Sequence, residues 1–161
     1  MYFYLDGYNL LFGLTNSKQT LATQRQQFIQ FLQTQFAAHH IKGTLVFDGS
    51  HRREEESGLS YRHPLEIAFA PKGQSADAYI IEKVEAEAHR RQIIVVTNDR
   101  GLSLQARSLG ATVQKNDAFV QFLKKKSMKK KKGGKVIVET EKNITRLLKI
   151  FEERFNQDEE T

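Results

Sequence analysis

Residues 93–99 read IIVVTND and give the clearest strand signal in the sequence. Four consecutive β-branched apolar residues are typical of a strand buried on both faces, as the strands of parallel sheets are. The run ends in polar residues, the last of which is Asp99. Two other apolar runs end in the same way, YFYLD at residues 2–6 and TLVFD at residues 44–48. The sequence therefore predicts several strands that each finish in an aspartate.

Helical patterns alternate with these apolar runs along the chain. Further strands are predicted over residues 65–70 and 111–113, and helices over residues 23–38, 75–90, 102–109 and 117–123. Such alternation is typical of βα units, and it predicts an α/β fold with a central, mainly parallel sheet and helices on both faces. Residues 51–63 carry many charges and no apolar period, so a surface loop is predicted there.

Length and composition limit the possible classes of protein. A chain of 161 residues fits one domain spanning residues 1–161. It contains no cysteine, which excludes disulfides, thiolate metal sites and cysteine nucleophiles. The apolar N-terminal run lacks a basic start and a cleavage site, and no stretch reaches the roughly 20 apolar residues of a membrane span. We expect a cytoplasmic protein without membrane contact.

The positive charge of the chain is concentrated in one segment. The formal net charge is +6, yet residues 124–135, KKKSMKKKKGGK, hold eight lysines and no acid. A basic loop is predicted at about residues 124–134, followed by a C-terminal helix at about residues 141–155. A lysine run is typical of a solvated surface segment, but it also suits salt-sensitive binding to phosphates. Both interpretations stay open.

The aspartates at the strand ends are more informative as a group than singly. Asp6 and Asp48 precede glycine, as turn residues do, and Asp99 could cap the next helix. In a parallel sheet, however, all these strand ends meet at one edge, where such folds bind ligands. Asp77, at the start of a helix, is expected to reach the same edge.

Carboxylates that converge repel one another unless protons or a cation neutralise them. Oxygen ligands without cysteine favour Mg²⁺ or Mn²⁺. These ions activate water for phosphodiester hydrolysis. We therefore expect Asp6 to face a metal ion and Asn9 to orient the ion or the substrate.

Four motifs occur in order along the chain: DGYN, VFDG, SADAYIIEKV and VVTND. In order, spacing and strand context the sequence resembles the NYN branch of the PIN-like ribonucleases, and most closely its bacterial YacP-like members. The resemblance covers nearly the whole chain. It implies a PIN-like, Rossmann-like three-layer fold and an endoribonuclease that uses a divalent metal.

The resemblance also implies roles for individual residues. The metal ligands would be Asp6, Asp77 and Asp99, and Asn9 would be a supporting polar group. Asp48 and Asn98 would lie next to these ligands and support them without binding the metal ion themselves. Ala78 is a departure from the pattern, because similar proteins often have a second acid there, so the number of metal ions stays open.

The expected partner is RNA, single-stranded, with the ribosome as a further candidate. The oligomeric state is not predicted. Tyr8 and Tyr61 could stack on bases, although Tyr8 fits packing at the strand exit better. Basic side chains that could hold phosphates are Arg52, Arg53, Arg100, Lys72, Lys124, Lys125, Lys126, Lys129, Lys130, Lys131 and Lys132.

Two other functions remain as alternatives. A non-catalytic RNA- or ribosome-binding module would use the lysine-rich segment, with the acids serving as caps. A receiver-like or phosphatase-like phosphoacceptor domain also gathers aspartates at strand ends. Those domains usually have two adjacent acids after the first strand, whereas Asp6 is followed by Gly7 and Tyr8.

Overall fold

The computed structural model describes residues 1–14, 20–49, 59–60 and 64–131. Within these residues the chain forms six strands and five α-helices. The strands are β1 Tyr2–Asp6, β2 Lys42–Phe47, β3 Leu59–Ser60, β4 Leu65–Phe69, β5 Ile93–Val96 and β6 Thr112–Gln114. The helices are α1 Gly7–Leu14, α2 Leu21–His39, α3 Ala76–Ala86, α4 Arg100–Ser108 and α5 Asn116–Lys131, with a 3₁₀ turn at Arg90–Gln92.

The strands form one sheet in the order β3-β4-β2-β1-β5-β6. All neighbouring pairs are parallel except β3 and β4, which are antiparallel. β1 lies between β2 and β5, and Leu5 pairs with Leu45 on one side and Val96 on the other. The prediction of an α/β fold with a mainly parallel sheet is confirmed.

Side chains on the central strands alternate between two separate cores. Leu5, Leu45 and Val96 pack in one core with apolar residues of α1, α2 and α5. Val46 and Val95 point the other way and pack with residues of α3 and α4. Because successive side chains of a strand point to opposite faces of the sheet, each central strand contributes to both cores. The predicted three layers are therefore present.

The first helix follows the first strand without a connecting loop. A Cβ on Gly7 would lie 2.6 Å from the Val46 carbonyl oxygen and 2.6 Å from the Phe47 ring, so only glycine fits this close approach. α1 was not predicted, because its apolar sequence GYNLLFGL reads as a continuation of the strand's apolar run. Its tight start places Asp6 at the junction of strand and helix.

One predicted boundary and one predicted loop were wrong in the described residues. α3 ends at Ala86 rather than near Arg90, and the Arg90 guanidinium donates a 2.8 Å hydrogen bond to the exposed Glu85 carbonyl oxygen. Part of the predicted 51–63 loop is the short strand β3, which pairs with the edge of β4.

The lysine-rich segment is helical up to Lys131, so the loop predicted from residue 124 was also wrong there. Lysine is a good helix former, the segment has no glycine before Gly133, and cations are favoured near a helix C-terminus. Residues 132–134 of that predicted loop and the predicted helix at 141–155 lie outside the described residues. No described helix has both the length and the apolarity needed to cross a bilayer.

Candidate active site

Four aspartates lie at the carboxyl edge of the sheet. Asp6 is the last residue of β1, Asp48 follows β2, and Asp99 follows β5 by three residues. Asp77 is in the first turn of α3, which the chain enters from the carboxyl end of β4. The predicted convergence therefore follows directly from the parallel order of the four strands.

Asp6 is the most deeply placed of these acids, with 6% of its surface exposed. Its Oδ2 accepts a 2.9 Å hydrogen bond from the Thr97 hydroxyl. Burial raises the pKa of Asp6, the Thr97 hydrogen bond lowers it, and the charges of Asp77, Asp99 and Asp48 raise it; the net result is a pKa of about 7. The four carboxylates thus act on one another electrostatically.

Asp77 belongs to the same charged group. Its pKa is raised, first by burial and then by the charge of Asp99. α3 presents it at a fixed point because the Ser75 hydroxyl caps the helix by accepting a 3.1 Å hydrogen bond from the Ala78 N–H.

Asp99 lies at the carboxyl edge of the sheet and also stabilises a helix. It is the N-cap of α4, and its Oδ1 accepts a 2.7 Å hydrogen bond from the Leu102 N–H. Its own N–H donates a 3.1 Å hydrogen bond to the Thr97 hydroxyl oxygen. Thr97 therefore links Asp6 with Asp99, a role that sequence reasoning missed although VTND placed the threonine between the strand and the acid.

Three asparagines connect α1, the end of β5 and the start of α5. The Asn9 Oδ1 accepts 3.0 Å hydrogen bonds from the Asn98 N–H and from the Asn116 side-chain amide. The Asn98 Oδ1 in turn accepts a 2.9 Å hydrogen bond from the Asn116 N–H. The Asn9 oxygen, predicted to orient a metal or substrate, is engaged here in holding the loop that carries Asp99.

Asn116 was not among the predicted site residues, yet it is only 1% exposed. Its side-chain oxygen is buried without a hydrogen-bond partner. A signal was available, since Asn116 and Asp117 follow β6 in the way that other polar pairs follow the central strands.

The donor set has the chemistry of a site for Mg²⁺ or Mn²⁺, because these ions prefer carboxylate oxygens. Among the described residues, however, no group of three or more histidine, aspartate or glutamate side chains is arranged to hold a metal ion. One oxygen of Asp6 and one of Asp99 are also engaged in the hydrogen bonds above. Ion binding would therefore require the carboxylates to move closer together.

Two of the predicted phosphate contacts lie at this edge. Arg100 is exposed at the first position of α4, directly after Asp99. Lys72 is exposed in the turn that follows β4. Arg52 and Arg53 lie outside the described residues.

The lysines of α5 are not brought to the acids. The helix begins beside Asn9 and Asn98 and runs back toward the amino edge of the sheet, where Ser127 lies 3.3 Å from the His39 ring. Lys126 lines a cavity there with Met1 and Lys42. The other described lysine side chains of the segment are Lys124, Lys125 and Lys129. The Lys130 and Lys131 side chains and all of Lys132 lie outside the described part.

An aromatic pair extends from the site to the surface. Tyr8 is buried against Phe47, as the sequence suggested, and its hydroxyl accepts a 3.2 Å hydrogen bond from Arg25. On its other side lies the ring of Phe12, nearly parallel to it at a centroid distance of 5.4 Å. Phe12 is 54% exposed. Tyr61 lies outside the described residues.

The mainly parallel sheet and the acids at its carboxyl edge define a PIN-like α/β domain of the nuclease type. The chain belongs to the YacP-like NYN domain family, whose sequence profile matches residues 3–160. The DGYN, VFDG, SAD and TND motifs all fall within this match.

Two solved structures share this fold. The chain is similar to crystal structures of Rae1 (YacP) from Bacillus subtilis, at 18% identity with a TM-score of 0.66, and for the W164L mutant at 19% identity with a TM-score of 0.62. The first comparison covers 99% of this chain and 92% of the other, and the second covers 100% of both. No curated protein sequence gives a significant match.

Proposed function

We propose that this protein is a metal-dependent endoribonuclease that hydrolyses phosphodiester bonds of single-stranded RNA, messenger RNA included. The observation that carries the proposal is the buried carboxyl group of Asp6, whose pKa is raised by burial and by three neighbouring aspartates. Such an arrangement favours uptake of either a proton or a cation at the edge where parallel sheets bind ligands.

Asp6, Asp77 and Asp99 are the proposed ligands of Mg²⁺ or Mn²⁺. When bound, the ion would activate a water molecule and neutralise charge on the phosphate. Thr97 would keep the Asp6 carboxylate oriented, and Asp48 would add negative charge behind it. Asn9 and Asn98 would act indirectly, by holding the loop that carries Asp99.

The substrate would be held on both sides of the acids. Arg100 and Lys72 are exposed at the same edge and would contact the phosphates next to the bond that is cut. The exposed Phe12 ring, supported from below by Tyr8, offers a flat surface for an unpaired base. A base held in a duplex could not use this surface, which supports a single-stranded substrate.

In the proposed hydrolysis, the oxygen of water bonds to phosphorus while the bond to the 3′ oxygen breaks. The products would carry a 5′ phosphate and a 3′ hydroxyl. We further propose a cytoplasmic site of action, with the ribosome as a candidate partner.

Mapping of cut sites on a mixed pool of single-stranded RNA tests the proposal directly. Cleavage is expected with Mg²⁺ or Mn²⁺, and it should be lost in EDTA and in the Asp6→Asn and Asp77→Asn variants. Lys83→Gln is a control for a single charge change, because Lys83 lies in the last turn of α3, away from the acids. Undiminished cutting by Asp6→Asn, or cutting in EDTA, would refute the proposal.

The non-catalytic RNA- or ribosome-binding module remains a second candidate, because the described lysines of α5 lie away from the acids. It predicts salt-sensitive RNA binding without cleavage at any metal concentration. The Lys125→Gln/Lys129→Gln variant separates the two, since both side chains are exposed. It should abolish the function of a binding module but only weaken that of an enzyme.

A further inference from the structure

A second cleft lies at the amino edge of the sheet, away from the aspartates. It has a volume of about 800 Å³ and is lined by residues 87–92, before β5, and residues 107–110, between α4 and β6. The two segments meet closely, because a Cβ on Gly110 would lie 3.9 Å from the Arg90 Cβ. Gly110 has a φ of +97°, a conformation that favours glycine and brings the chain around this cleft.

The cleft carries excess positive charge. Arg90, Arg91 and Arg107 line it, against a single acid, Glu87. The Arg90 side chain is fixed to α3 by its hydrogen bond to the Glu85 carbonyl oxygen, so it forms part of the wall. Arg91 and Arg107 are exposed, and neither forms an ion pair with an acidic side chain of the described residues. Two guanidinium groups are thus available to an anion from solution.

The lining indicates which anion fits. Guanidinium groups bind phosphate through paired N–H donors, and they do so better than the point charge of lysine. The only ring in the lining is the exposed imidazole of His89, and no phenylalanine, tyrosine or tryptophan is present, so the cleft suits a sugar-phosphate backbone better than a nucleobase. The C-terminus of α4 lies at one side of the cleft, and its partial negative charge disfavours anions. This partial charge is a fraction of one unit, which is less than the net positive charge of the lining side chains.

The position of the cleft separates it from the reaction. β5 begins directly after the cleft residues and ends three residues before Asp99. Its four residues span about 13 Å, which separates the cleft from the acids. The α5 lysines, on the other face of the sheet, also run toward the amino edge, where Lys126 and Lys42 line the neighbouring cavity. The aspartates and this group of arginine and lysine side chains therefore lie at opposite ends of the strands.

We infer that the cleft around Arg91 and Arg107 binds the phosphate backbone of RNA, as a sequence-independent anchor distinct from the acidic edge. The identity of the nucleic acid rests on the proposed function. The anchor contributes affinity but no group to hydrolysis, so RNA long enough to reach both edges would be held at two places.

The test measures RNA binding in the Asp6→Asn background, where the RNA stays intact. Binding of a labelled single-stranded RNA is followed over a salt series for this parent and for Arg91→Gln, Arg107→Gln and the double variant. Loss of two phosphate contacts should reduce the slope of log K against log salt by about 1.4, or about 25-fold in affinity at 0.1 M salt if the affinities converge at 1 M. Thermal melting checks that the variants are folded.

Lys83→Gln is the matched control. Lys83 is exposed on α3, outside the cleft, with its ammonium group over the Tyr79 ring. It should leave the slope unchanged. A double variant with the parent's slope, or a Lys83→Gln variant as weak as Arg91→Gln, would overturn the inference. So would binding of adenosine monophosphate as tight as that of RNA, because the cleft would then hold a small phosphate ligand.

The outcome is independent of whether the protein cuts RNA, since the parent lacks the Asp6 carboxylate. With Asp6 present, the double cleft variant should raise KM for a long RNA and leave kcat unchanged. A fall in kcat with unchanged KM would contradict a role as an anchor.

Discussion

The Thr97 hydroxyl donates a 2.9 Å hydrogen bond to Oδ2 of Asp6 from the end of the neighbouring strand. A hydrogen bond of this kind favours the charged carboxylate, yet the pKa of Asp6 is raised to about 7 because burial and three like charges outweigh it. In the absence of a cation, Asp6 is therefore partly protonated near neutral pH.

Asp6→Asn should stabilise the metal-free protein at high pH. A carboxyl group whose pKa is raised in the folded state contributes stability that is present below about pH 4 and is lost as the pH rises through about 7. The asparagine oxygen can still accept the Thr97 hydrogen bond, so the variant should gain up to about 4 kcal/mol at pH 8. Melting temperatures of both proteins in EDTA at pH 4 and pH 8 provide the measurement.

Asp117→Asn is the control for this effect. Asp117 is exposed in the first turn of α5 and is not among the charges that act on Asp6. It should not stabilise the protein at pH 8. If Asp6→Asn were less stable than the natural protein at pH 8 as well as at pH 4, the carboxyl group would not be under the predicted repulsion.

Asp99 should show separable effects on stability and on cleavage. Asn is as good an N-cap as Asp, so Asp99→Asn should keep α4 while it removes the charge, whereas Asp99→Ala should lose about 1 kcal/mol of unfolding free energy. Both variants should lose RNA cleavage. Denaturant unfolding and a cleavage assay, run on both variants, distinguish the two roles. Normal cleavage by Asp99→Asn would show that this residue is only a cap.

Asn9→Ala should impair cleavage through the position of the Asp99 loop. The substitution leaves the Asn98 N–H without its acceptor and leaves the buried Asn116 amide only its longer 3.4 Å hydrogen bond to the carbonyl oxygen of residue 9, at a cost of about 1–3 kcal/mol. Asn9→Asp retains an acceptor for both donors, so it should recover most of the stability. Unfolding in urea measures the stability of the two variants. Equal stability of Asn9→Ala and the natural protein would contradict the role assigned to this hydrogen bond.

Phe12→Ala should weaken substrate binding with little change in the chemical step. Stacking on a protein ring contributes about 1–3 kcal/mol per base, so KM should rise by roughly 5- to 150-fold while kcat stays the same. Phe12→Tyr retains a ring and should behave like the natural protein. Steady-state kinetics on a short RNA gives the answer, and an unchanged KM for Phe12→Ala would exclude this base contact.

The central strands were predictable because their signals are local. Buried runs such as IIVV at Ile93–Val96 read as strands on both composition and length, and the aspartate after each run marked the edge where ligands bind. Parallel order then placed Asp6, Asp48 and Asp99 at the same edge without any knowledge of contacts.

The remaining features depend on contacts between distant parts of the chain. α1 was missed because the close packing of Gly7 against Val46 cannot be read from an apolar run. Thr97 and Asn116 matter through hydrogen bonds to Asp6 and Asn9, which are about a hundred residues away along the chain. The lysines of the α5 segment read as a loop by charge alone, although lysine also has a high helix propensity.

Titration calorimetry with Mn²⁺ tests the central claim most directly, namely that Asp6 and its neighbours bind one divalent ion together. At pH 7 the natural protein should bind Mn²⁺ and release about half a proton, because Asp6 has a pKa of about 7 and must be ionised to act as a ligand. Comparison of buffers with different ionisation enthalpies gives the proton count, and Asp6→Asn should lose the binding. Equal Mn²⁺ binding by the natural protein and Asp6→Asn, without proton release, would contradict the account.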